Sequence, residues 1–354
     1  MSPVGKSLPD LRFGILGCGA VSRYCHAPSL YRLKGVRLSA VADPDGQSRR
    51  NTIGKRDIAA FEDAESMLRD TELDAVIIAV PTHMHAAAAA SIAQAGKAFY
   101  LEKPIAISEA EAALVLQAAA QVGVKAAVGF NRRAHPLYQR ARQLLRDGAI
   151  GELHGAQTVF SEPAPPDGLP EWKRKRETGG GALLDLGSHH VDLLRWLLDT
   201  EVETVSASVR TISTEDDFAS VNMTLANGAH AQSTFTLAAA YADHLEILGT
   251  TGTLRIERHS ANLTLSGPRR FGYGRRERSA GTGMGDIVWR ARRIARPAED
   301  PSYLRAMRAF VRHLRNDEPP LASLEDGERS LRVILAAEES SRRAASPVTM
   351  TPPA

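Results

Sequence analysis

At 354 residues, 43% of them hydrophobic, the chain is long enough for two globular units with separate cores. Its longest apolar runs, Ala75 to Val80 and Ala86 to Ala90, fall far short of the ~20 residues of a membrane span, and Met1 to Asp10 lacks the apolar core of a signal peptide. The formal net charge of +3 hides a local excess, because residues 269 to 296 hold nine arginines against only Glu277 and Asp286. A soluble, cytoplasmic protein with no membrane partner is expected, and Cys18 and Cys25 lie too close together to staple a fold.

In chain order, the first third alternates short apolar strands with helical spacing, the rhythm of βαβ units around a parallel sheet. Strands are predicted at 11–16, 36–43, 75–80, 98–101 and 125–130, with helices at 21–33, 66–69, 86–95 and 108–121. Ser108 with Glu111 three residues on is a capping signal. After Gly151 the pattern changes to alternating strands at 152–160, 203–212, 218–225, 229–237, 244–248 and 253–256, with Asn227-Gly228 as a hairpin turn. One helix, 181–198, interrupts them, and helices at 303–314 and 324–343 close the chain. The expected architecture is α/β plus α+β: a doubly wound Rossmann sheet in residues 1–130, then a mainly antiparallel sheet in 131–354, with the last helices packing back on the first unit.

Gly17, Cys18, Gly19, Ala20, Val21 and Ser22 follow the first strand and open a helix, the setting a dinucleotide fingerprint needs. Gly17 allows the tight turn, Gly19 lets the backbone approach a pyrophosphate, and Ser22 replaces the third glycine with another small residue. Asp43, at the end of the second strand, is placed to accept hydrogen bonds from an adenosine ribose and to repel a 2′-phosphate. NAD is therefore favoured over NADP, with Arg49 and Arg50 as the counter-signal.

Lys103, in the turn Glu102-Lys103-Pro104, falls at the carboxyl end of the sheet, where its charge can stabilise a developing alkoxide; alone, such a residue is more often a solvated surface lysine. Pro104 is a candidate for a cis bond. In the segment from Gly179 to Asp192, Asp185, His189 and Asp192 share one stripe of an ideal helix. His189 is the natural general base for a hydroxyl proton, with Asp185 orienting it or sharing the proton; the bland alternative is a capped core helix.

Together with Pro81-Thr82-His83-Met84-His85 and Gly129-Phe130-Asn131-Arg132-Arg133, these motifs occur in an order that resembles the Gfo/Idh/MocA oxidoreductases over nearly the whole chain. The resemblance implies a catalytic triad of Lys103, Asp185 and His189, with Lys103 also touching the nicotinamide ribose. It places Pro81, Thr82 and His85 along the cofactor, Glu102 and Asn131 beside the nicotinamide, and Arg132 and Tyr241 toward the substrate. Thr82 departs from the asparagine frequent in the family. A homodimer or homotetramer is implied as well. The His83 and His85 pair alone is a weak metal signal, and no metal is expected. Arg132 with Arg133 reads equally as a solvated basic pair.

The arginine-rich stretch, about 268–297, admits three readings: a surface insertion, a nucleic-acid or anionic-membrane contact, and a lid recognising an acidic substrate. The second is set aside because no nucleic-acid motif accompanies it. The leading expectation is an NAD-dependent dehydrogenase of a secondary hydroxyl on a sugar, cyclic polyol or sugar derivative. Its rivals are a transient-oxidation elimination that recycles NAD, and a non-catalytic dinucleotide-binding regulator.

Overall fold

The computed structural model describes residues 9–165, 168–268, 275–279 and 300–351. Six strands, β1 (Leu11–Leu16), β2 (Val36–Ala42), β3 (Ala59–Phe61), β4 (Ala75–Ile78), β5 (Ala98–Leu101) and β6 (Ala126–Val128), form one parallel sheet in the order β3-β2-β1-β4-β5-β6. The order reverses between β1 and β4, which opens a crevice at the carboxyl ends of those strands. All four residues of β4 are buried, as a sheet covered on both faces requires.

The connecting helices are α1 (Ala27–Leu30), α2 (Gly46–Ile53), α3 (Ala64–Asp70), α4 (His85–Gln94) and α5 (Glu109–Val122). Expected Ser108 caps α5, accepting from the Glu111 N–H. Where a continuous helix is expected over 21–33, a π-turn (Ser22–His26) precedes a single turn of α1.

Nine strands make the second sheet: β7 (Leu153–Ser161), β8 (Val202–Arg210), β9 (Phe218–Leu225), β10 (His230–Thr236), β11 (Ala242–Gly249), β12 (Thr253–Glu257), β13 (Asn262–Pro268), β14 (Arg275–Ser279) and β15 (Val348–Thr349). Their order is β14-β13-β12-β11-β7-β10-β9-β8-β15, and every pair is antiparallel except β7 with β10. The 11-residue α6 (Pro136–Arg146), which the sequence patterns did not predict, joins the two sheets, with Pro136 at its first position and the His135 ring capping Leu137 N–H. The expected helix over 181–198 is a π-turn (Leu183–Gly187) running into α7 (Ser188–Leu198).

The last helices are α8 (Pro301–Asn316) and α9 (Leu324–Arg342). Met307 and Phe310 of α8 share a core with Phe13, Ile15 and Tyr100, so α8 packs back on the first sheet. Val191 and Leu194 of α7, with Ile334 and Ala337 of α9, cover one face of the second sheet against Val221, Phe235 and Ile247. Apart from Pro268 and the five residues of β14, the expected arginine-rich insertion lies outside the described residues. No helix among the described residues is long and apolar enough to cross a membrane.

Candidate active site

A cleft of about 1410 Å³ runs from the loop after β1, past the end of β4, to the start of α7. That exceeds the ~300–1,000 Å³ of a typical small-molecule site and suits a dinucleotide with a second ligand beside it.

At one end, Gly17 has φ +91°, and a Cβ there would overlap the Ala79 carbonyl. Gly19 has open space on its Cβ side, so its backbone is free to meet a pyrophosphate. Ser22 does more than stay small: its buried hydroxyl donates to the Gly17 carbonyl at 2.6 Å, closing the loop on itself. Asp43 accepts the Cys18 N–H at 2.7 Å and the Asp45 N–H at 2.8 Å, so its carboxylate is fixed at the cleft wall with lone pairs to spare for ribose hydroxyls. The Arg49 guanidinium donates to the Asp43 carbonyl. Ala20, Val21 and Pro81 complete this wall, and these residues fit a bound dinucleotide.

Thr82, His83 and Met84 form a short 3-10 turn between β4 and α4. Thr82 is buried against Gly179 of the second unit, where a Cβ would overlap the threonine side chain. His85 lines the cleft but is only 1% exposed, and its Nδ1 and Nε2 lie 2.7 Å and 3.1 Å from the carbonyls of Pro104 and Val80. Burial pushes its pKa below the ordinary histidine value, and the neutral ring donates to only one of these carbonyls. His83 turns outward to the Thr178 carbonyl at 3.1 Å, so the two histidines do not converge on a common point. The Lys103-Pro104 bond is cis. Beside it, Glu102 pairs with buried His26 at 2.8 Å, and Asn131 donates to the Ser302 hydroxyl at 2.7 Å; both line the cleft.

Across the cleft, Lys103 Nζ donates to Asp185 Oδ1 at 2.7 Å and to the Asp185 carbonyl at 2.8 Å. Lys173, a residue the sequence reading missed, donates to the other carboxylate oxygen at 2.6 Å. Burial favours the neutral acid, but the two lysines outweigh it and hold the Asp185 carboxyl well below the usual carboxylate range. The lysines take one acceptor site on each oxygen, and no hydrogen bond joins Asp185 to His189 among the described residues.

His189 lines the cleft, and its Nδ1 is buried without a hydrogen-bond partner among the described residues. Burial, then the positive charges of Lys103, Arg132 and Arg258, push its pKa well below the ordinary value, so the ring is neutral near pH 7.

Asp192 does not join this group. The π-turn carries one residue more per turn than an α-helix, so the ideal-helix stripe does not hold across it. Asp192 instead receives Arg133 at 2.6 Å and 3.0 Å in the protein interior. Arg132 and Arg133 are both about 95% buried, which removes the solvated-pair reading. Arg132 lines the cleft, stacks over the Phe160 ring at 4.1 Å and pairs with Asp243 at 3.2 Å.

Asp243, also missed, is a hub: it further accepts from His190 at 3.1 Å and Arg258 at 2.6 Å. Despite burial, these partners hold its carboxyl far below the usual range. Arg258 extends the network to Asp300 at 2.9 Å and to the Tyr241 hydroxyl at 2.9 Å. Tyr241 thus stands behind Arg258, and it is Arg258 that lines the cavity.

Residues 11–130 match the family described as an oxidoreductase family with an NAD-binding Rossmann fold, and residues 138–255 match the GFO/IDH/MocA C-terminal domain. Inositol 2-dehydrogenase of Rhizobium meliloti is 31% identical over 261 residues, covering 70% of this chain and 76% of that protein. The chain belongs to the Gfo/Idh/MocA family. Its first unit is the family's NAD-binding Rossmann domain, and the protein is an oxidoreductase of the sugar and polyol dehydrogenase type. Other similar family members include myo-inositol 2-dehydrogenase of Thermotoga maritima, 25% identical over 93% of this chain and 96% of that one. In fold, the chain resembles the WlbA dehydrogenase of Bordetella pertussis, crystallised with NADH and UDP-GlcNAcA, with a TM-score of 0.82, 22% identity and coverage of 97% of this chain and 98% of that one.

Proposed function

We propose that this protein is an NAD-dependent dehydrogenase that oxidises a secondary hydroxyl on a cyclic polyol or sugar. The observation that carries the reading is the Lys103 to Asp185 pair, 2.7 Å across a cleft that also holds the glycine loop and neutral His189. Residues 1–130 supply the dinucleotide wall and Lys103, and residues 131–354 supply Asp185 and His189.

NAD, held by the glycine loop and Asp43, would supply the hydride acceptor when bound. Lys103 donates to the substrate oxygen and stabilises the charge that grows on it, while His189 takes the hydroxyl proton at Nε2. Asp185, fixed as a carboxylate, aims the lysines. Asp43 selects the unphosphorylated ribose. Arg132, locked between Phe160 and Asp243, shapes the substrate end, and Tyr241 acts on it through Arg258.

The similar inositol dehydrogenases favour a ring polyol. A cytoplasmic homodimer or homotetramer is the accompanying proposal, with the outer face of the second sheet, including Ser208, Asn222, Gln232 and Gln157, as the surface for another copy. Light scattering checks the oligomer. The activity is tested by a screen of inositols, aldoses, uronates and glycosides with NAD and NADP. Stoichiometric NADH with NAD supports net oxidation; product without NADH points to the recycling chemistry, and no turnover on the panel rejects the reading.

A further inference from the structure

Lys173 lines the cleft and is accounted for by neither the motifs nor the triad. It sits in the short turn Glu171–Lys173, and its side chain is 28% exposed. An ion pair that only held this loop in place would be the bland explanation. The loop, however, is already fastened by its backbone: the Thr178 hydroxyl donates to the Trp172 carbonyl at 2.7 Å and the Gly180 N–H to the Lys175 carbonyl at 2.9 Å. Gly180 packs so closely that a Cβ would overlap the Lys173 carbonyl.

Asp185 already has a cation in Lys103, so a second ammonium brought from water to the same carboxylate is a costly way to stabilise it. Each ammonium has three donors. Lys103 spends two on Asp185, and Lys173 spends one. They hold different oxygens of one carboxylate and both line the cleft, so the two ammonium groups flank Asp185 side by side, each with a donor left over for a ligand.

We propose that Lys173 is a specificity-determining residue that binds a second substrate oxygen, the hydroxyl on the carbon adjacent to the one oxidised. This rests on the dehydrogenase reading above. The second group is a neutral hydroxyl rather than a carboxylate, because Glu162 and Glu102 line the cleft and act on Lys173, while Arg132 and Arg258 are already paired with Asp243 and Asp300, which leaves no excess of positive charge for an anion. The substrate class is therefore a ring vicinal diol.

The test pairs enzyme and substrate deletions. Full-length wild type, Lys173→Met, Lys173→Gln and Lys173→Arg are compared with NAD on myo-inositol and D-glucose, and on the monodeoxy analogues lacking a hydroxyl next to the oxidised carbon. Wild type is expected to prefer the parent by roughly tenfold or more in kcat/KM. Lys173→Met and Lys173→Gln lose a similar factor on the parent and prefer it by less than about twofold, while Lys173→Arg retains discrimination. If the Met and Gln variants keep the wild-type preference, however slow they are, Lys173 acts only through Asp185 and the proposal is overturned. A wild type that oxidises neither parent nor any other polyol removes the dehydrogenase reading itself. NAD binding and Tm of each variant separate loss of contact from loss of fold.

Discussion

Lys103 Nζ is 2.7 Å from Asp185 Oδ1 and 2.8 Å from the Asp185 carbonyl, so one ammonium ties the turn after β5 to the π-turn before α7. Replacing it removes the group that meets the growing negative charge, and replacing His189 removes the proton acceptor. Lys103→Met and His189→Ala should each lower kcat by about 10²–10⁴-fold. Neither residue holds the glycine loop, so NAD affinity measured by calorimetry should stay within about threefold of wild type. Near-normal turnover in both would refute the assigned roles.

Asp43 receives two backbone N–H groups and fixes the loop that faces the ribose. Asp43→Ala strands both donors and deletes the anion. The Kd for NAD should rise by about tenfold or more, while the Kd for NADP rises less, narrowing the preference. An unchanged NAD to NADP ratio would show that Asp43 does not read the ribose.

Gly179, with φ +107°, meets Thr82 where the two units touch. Gly179→Ala adds backbone strain of roughly 1–3 kcal/mol and a steric overlap, so Tm and kcat should fall together. Adding Thr82→Gly relieves the overlap but not the strain, and the double variant should recover only part of the loss. Full activity in Gly179→Ala would mean the contact is dispensable.

Burial pushes His135 and His190 down to about 4, and His85 and His189 below the ordinary value. Unfolded imidazoles titrate near ~6.5, so below that pH the unfolded chain binds more protons and stability drops as pH falls. Asp185 and Asp243 are held low, and their contribution is lost only below the ordinary carboxylate range. The urea midpoint should therefore fall steadily between about pH 6.5 and 4, and equal midpoints at pH 7 and 5 would contradict this. For the same reason, the acid limb of kcat/KM should lie below the usual histidine position.

Asp243 is fully buried among Arg132, Arg258 and His190. Asp243→Asn removes the carboxylate that pairs buried Arg132 and leaves Arg258 with Asp300, and a loss of roughly 3–5 kcal/mol is expected by denaturant unfolding. A loss under about 1 kcal/mol would mean water replaces the carboxylate.

The glycine loop, Asp43, Lys103, Asp185 and His189 were legible because each sits in a local pattern with its own physical reason: a turn, a strand end, a helix opening. Lys173 was not, since a lysine among Arg174, Lys175 and Arg176 looks like a solvated run. The signal that could have found it is the Pro-rich approach through Pro163, Pro165 and Pro170 to Trp172, just ahead of the glycine turn. Asp243 and Arg258 reach the site from strand ends of β11 and β12, where only tertiary pairing brings them together. The two π-turns were hidden because an inserted residue in an apolar run leaves the periodicity nearly intact, and that same insertion misled the placement of Asp192. Charge-rich α6 was overlooked among its arginines and glutamines, although its buried residues, Leu137, Tyr138, Ala141 and Leu144, recur at helical spacing.

One of the two acceptors that hold Lys103 is the main-chain carbonyl of Asp185, which also receives the Ser188 hydroxyl at 3.1 Å. A substitution at position 185 cannot delete that oxygen. The place of the ammonium is thus inherited from the shape of the backbone, whereas its electrostatic environment is written by the side chain. Sequence drift at this position can retune the acidity of the reaction centre while the lysine stays where it is, which gives the scaffold a way to change chemistry without rebuilding its geometry.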